Sequence, residues 1–79
     1  MNTENIVISN TRRIIREKGL RQNFVAERAG MDGKLFSALL NGRKIIRAEH
    51  LAAISTALDI EPGELFREGG NAASEGATM

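Results

Sequence analysis

Arg21, Lys34 and Arg47 each fall at or near the start of a predicted helix, and Arg43 and Lys44 follow at once on the turn NG. The first amide N–H groups of a helix carry partial positive charge and favour a carboxylate over a cation. Cations there cost stability until an anion comes to share the site, and a nucleic-acid phosphate is such an anion. The net charge of +1 hides how unevenly the charge is spread. Between Arg12 and Arg47 ten lysines and arginines stand against Glu17, Glu27 and Asp32, a surplus of seven. From Ala48 onward six acids stand against Arg67, a deficit of five. A basic region attracts polyanions, and an acidic end limits non-specific adhesion. A solvated mixed-charge surface explains the charge alone equally well.

Other chemistries find few residues to use. Cysteine is absent, which excludes a disulfide framework and a thiolate metal site and fits a reducing compartment. His50 is the only histidine; it stands beside Glu49 among the first residues of a helix, with no nucleophile at a motif spacing. No metal-ligand cluster or phosphate-cradling glycine loop can be read. The expectation is no enzyme, no cofactor and no small-molecule ligand. No apolar run approaches the roughly 18 residues of a membrane span, and no basic-then-apolar leader opens the chain. The expected location is cytoplasmic, without membrane contact.

Five helical segments and no strand position these residues. The first runs from about Glu4 to Lys18, with Val7, Thr11 and Ile14 inward, and Gly19 stops it. Ile8 and Ile15 form a second apolar line, either further core or a contact surface. A short helix from about Gln22 to Ala29 turns Val25 and Ala29 inward and ends at Gly30. Asp32 is placed to cap a third helix from about Gly33 to Leu40, which buries Phe36 and Leu39. NGRKII is a connecting loop. The fourth helix, about Ala48 to Leu58, carries Leu51, Ile54 and Leu58 at helical spacing, and Pro62 opens a short fifth helix whose Leu65 and Phe66 close the core. Residues 1–66 thus form one all-helical domain of small size. Residues 67–79, rich in Gly, Ala and Ser, read as a disordered polar tail with no room for a further domain.

Within ERAGMDGKLFSALLNGRK, Gly30 can adopt the positive φ that reverses the chain between two helices. Ala26 lets the next helix cross close to the backbone, and Met31 drops between them. This is the logic of a helix-turn-helix at about residues 22–41. The window from Gln22 to Asn41 resembles that of the Cro/repressor-type (XRE-like) bacterial and phage regulators. Val25, Ala26, Ala29, Gly30, Met31, Phe36 and Leu39 stand where that family has an apolar or small residue. The resemblance continues without a gap through NGRKIIRAEHLAAISTALDIEPGELF and covers roughly residues 7–66. GM followed by ALLNG is nearest to the lambda-repressor-like pattern.

The resemblance implies a compact five-helix, lambda-repressor-like bundle that acts as a transcriptional regulator, of phage or prophage repressor type, on double-stranded operator DNA. It implies a homodimer on a pseudo-palindromic site. Gln22 would meet a phosphate and brace the helix at 33–40, where Lys34 could donate to guanine O6 or N7 or to a phosphate. Ser37 could bond a base or a phosphate, and Ala38 could offer its methyl to thymine. Asn41, Arg43 and Lys44 would grip the backbone. Three positions depart from the family: Gly33 is often Gln, Leu35 is usually Ser or Thr, and Ile15 is Arg in many members. Base reading would then rest mainly on Lys34 and Ser37, helped by DNA shape. The alternative is a helix-turn-helix protein-interaction domain, such as an antitoxin or a bridging factor, with Ile8, Ile15, Leu35 and Leu40 as its contact surface.

Overall fold

Helix ends give this chain its shape. In the computed structural model, which describes residues 3–67, α1 spans Thr3–Glu17, α2 Gln22–Arg28, α3 Gly33–Leu40 and α4 Ala48–Leu58. A 3-10 helix, Pro62–Phe66, follows. Each of the four α-helices closes on one pattern, a backbone N–H donating to the carbonyl five residues earlier across a residue of positive φ. The bonds run from Leu20 to Ile15, Met31 to Ala26, Arg43 to Ala38 and Ile60 to Ser55, at 2.9–3.0 Å. The positive-φ residues are Gly19, Gly30, Gly42 and Asp59. This is the Schellman closure, which satisfies carbonyls that a helix end would otherwise orphan. At Gly30 (φ 72°) it turns the chain between α2 and α3 within a few residues.

The core lies where the helices cross. Val7 and Ile14 of α1 meet Val25 and Ala26 of α2, Phe36 and Leu40 of α3, Ile54 and Leu58 of α4, and Leu65. Each fully buried large side chain contributes on the order of 1.5–3 kcal/mol relative to exposure. The inward positions expected at Val7, Thr11, Ile14, Val25, Phe36, Leu39, Ile54, Leu58 and Leu65 are all buried. Ala29, Met31 and Leu51 are half-buried and pack against this cluster.

Two expectations need correction. The fifth segment is not an α-helix, because its backbone N–H groups reach back three residues, from Glu64 to Glu61 (2.9 Å) and from Arg67 to Glu64 (3.5 Å). A segment of five residues, the first of them proline, is too short to propagate the wider turn. The tighter winding sets neighbouring side chains about 120° apart. Leu65 therefore points inward while Phe66 stays 43% exposed, so Phe66 does not close the core. The tail expected at 67–79 lies, beyond Arg67, outside the described residues.

Asn10 explains how so short a last segment is held. It is a buried polar residue on α1, and its Nδ2 donates to Leu65 O and Arg67 O, both at 2.8 Å. Two carbonyls at the end of the 3-10 helix are satisfied by one side chain.

Candidate nucleic-acid interface

The exposed side of α3 is shaped by its own caps. Asp32 accepts a hydrogen bond from Lys34 N at 2.7 Å, which satisfies one of the free N–H groups of the first turn. Phe36, Leu39 and Leu40 turn inward, so Lys34, Ser37 and Ala38 are left on the outward side. These three line one open concavity of about 540 Å³ with Gly33, Arg43, Asn23 and Asp32. Five of the residues named from the sequence thus come together, and they span the length of α3. Gly33 matters here because it leaves its place empty: a Cβ would stand 3.5 Å from Asn23 Oδ1. Asn23, one residue past the start of α2, was missed in the sequence, where it looks like any solvated helix position.

Arg43, Lys44 and Arg47 are exposed on the loop after α3. That loop is anchored at three backbone amides. Arg43 N donates to Ala38 O at 2.9 Å. Ile46 N donates to Glu4 Oε2 on α1 at 3.0 Å. Arg47 N donates to His50 Nδ1 at 3.0 Å. His50 thereby caps α4 from its third position, while Arg47 occupies the cap position itself without a carboxylate.

Asn41 is exposed, but its side chain is engaged by other residues of the chain. Its Oδ1 accepts from Arg12 Nη2 at 3.0 Å, and its Nδ2 donates to Ser37 Oγ at 3.3 Å. Arg12 Nη2 also donates to Leu40 O at 3.0 Å. Arg12 therefore ties the last turn of α3 to α1, a role that the basic run in the sequence gives no sign of. Arg21 and Gln22 lie apart from the α3 concavity. Arg21 is the exposed cap residue of α2 with no side-chain cap bond. Gln22 lines a second cleft, about 350 Å³, with Arg12, Ile15, Arg16, Leu20 and Leu40.

The charge pattern is as informative as the shape. Among the described residues the ion pairs are Arg13–Glu17 at 3.0 Å and Arg67–Glu64 at 3.2 Å. Arg21, Lys34, Arg43, Lys44 and Arg47 are thus without a carboxylate partner among the described residues, and unneutralised cations around an exposed helix face are what a polyanion would meet. The described residues include no group of three His, Asp or Glu side chains able to hold a metal ion. None of their helices is long and apolar enough to cross a membrane.

A protein-family model described as a Cro/C1-type HTH DNA-binding domain matches residues 10–67. No curated protein and no solved structure matches the chain.

Proposed function

The chain belongs to the Cro/C1-type HTH DNA-binding domain family, and on that premise we propose a transcriptional regulator of phage or prophage repressor type that inserts α3 into the major groove of an operator. One observation carries the reading. Lys34, Ser37 and Arg43 share the concavity on the outward side of α3, and the cations around it have no carboxylate partners among the described residues. Lys34 and Ser37 read base edges, with Ala38 against a thymine methyl. Arg43, Lys44 and Arg47 hold phosphates after α3, while Arg21 and Gln22 hold them before it. The absence of a side chain at Gly33 lets the backbone at the start of α3 come close to the duplex.

Asn41 has a narrower role than a free phosphate ligand, because both ends of its amide are bonded internally. It orients Ser37, whose hydroxyl hydrogen stays available to an acceptor on the DNA. The regulator acts as a dimer on an inverted repeat in the cytoplasm, without catalysis or cofactor, because one such module buries too little surface for tight binding at physiological salt.

Of the four residues named for the protein-interaction reading, Leu40 is 3% exposed, while Ile8, Ile15 and Leu35 are half-buried.

Selection from a random duplex pool tests the proposal. Retained sequences should contain an inverted repeat with half-sites about one helical turn apart. A folded, helical sample that enriches nothing would overturn it.

A further inference from the structure

Glu4 is an acid whose carboxylate reaches the basic loop. Its Oε2 accepts from Ile46 N across 42 positions of sequence, at a half-buried site between Lys44 and Arg47. From Lys44 to Arg47 the chain has no regular secondary structure. Its backbone amides are held there by two side-chain acceptors, Glu4 on Ile46 and His50 on Arg47. The adjoining cations are long and exposed, so the place where their charge meets a phosphate follows from where this backbone is held.

Resting on the DNA-binding reading above, we propose that Glu4 is a positioning residue for that contact: its carboxylate sets the loop that carries Arg43, Lys44 and Arg47, and DNA affinity depends on it. Simple electrostatics predicts the opposite sign. A negative charge beside a phosphate-binding loop repels the duplex, and deleting it should tighten binding. Geometry and charge therefore give contrary expectations for one residue.

Two substitutions separate them. Glu4→Gln removes the charge and keeps a side-chain oxygen that can accept from Ile46 N. Glu4→Ala removes charge and acceptor together. Both lose the same favourable charge in the first turn of α1, so helix-dipole effects cancel in the comparison. Affinity for a non-specific duplex, measured by fluorescence anisotropy over a salt series, reads the outcome, with circular dichroism showing that each variant is folded at the temperature used. Glu4→Gln should bind as tightly as the parent or more tightly. Glu4→Ala should bind about three- to tenfold more weakly than Glu4→Gln, the range a single hydrogen bond spans, with a shallower salt dependence. Exchange of the Ile46 amide should be faster in Glu4→Ala than in Glu4→Gln.

Equal or tighter binding by folded Glu4→Ala relative to Glu4→Gln overturns the inference. If the parent chain binds no duplex, the DNA reading falls instead, and the Ile46 exchange rates still show whether Glu4 holds the loop.

Discussion

Arg12 Nη2 on α1 and Asn41 Oδ1 at the end of α3 are 3.0 Å apart, and the same nitrogen donates to Leu40 O. One guanidinium therefore closes the last turn of α3 against α1. Truncating it removes a hydrogen bond to a partly buried carbonyl. Arg12→Ala should lower stability by about 0.5–1.5 kcal/mol, seen as a lower urea midpoint. It should leave the salt slope of DNA binding unchanged. Combining it with Asn41→Ala should show a coupling of about 0.5 kcal/mol or more; strict additivity would mean that the pair does not interact.

Arg43 and Lys34 should separate affinity from specificity. Arg43→Ala should weaken binding to every sequence alike and lower the salt slope by about one unit. Lys34→Ala should also relax base preference at one operator position. Uniform scaling by Lys34→Ala across a panel of operators would remove its base-reading role.

Gly30 has φ 72°, yet an added Cβ would meet no atom within 4 Å. The cost of substitution there is a backbone cost alone. Gly30→Asn should be tolerated best, Gly30→Ala should cost about 1–2 kcal/mol, and Gly30→Val should cost more because it is β-branched. Thermal melts would rank them. A valine variant that melts with the parent would contradict a positive φ at this turn.

Asp59 is the only residue other than glycine with positive φ among the described residues. It also places a negative charge at the C-terminal end of α4, where the dipole disfavours it. Asp59→Gly should raise stability by about 0.5–1 kcal/mol, the relief of strain and charge exceeding the added freedom of the unfolded chain. A lower melting temperature would show that the aspartate makes a compensating contact.

Much of the fold was legible because it is written in short-range signals. Gly19, Gly30 and Gly42 mark the ends of three helices, Asp32 marks a start, and apolar spacing marks the inward faces. The gathering of Gly33, Lys34, Ser37, Ala38 and Arg43 follows from those boundaries and helical periodicity. What stayed hidden depends on partners distant in sequence. Asn10 reads as polar and solvated, yet it is 3% exposed because Leu65 and Arg67 come back to it from 55 and 57 positions away. Glu4 counts as stray charge until Ile46 arrives, and Arg12 merges into a basic run although its bonds are internal. Phe66 was misplaced because an apolar pair gives no sign that the backbone winds three residues to the turn.

Three of the four helix terminators stand in open space: a Cβ built on Gly19, Gly30 or Gly42 would touch nothing within 4 Å. What those positions demand is a handedness, not a small size. A chain of 79 residues is within reach of chemical synthesis, and D-alanine, the mirror-image residue, prefers the dihedral angles that L-residues avoid there. Placed at 19, 30 and 42 it would keep each turn and strip freedom from the unfolded chain, by about 0.4–1 kcal/mol per site if it behaves as a compatible Gly→Ala replacement does. The helices would keep their places on a stiffer scaffold.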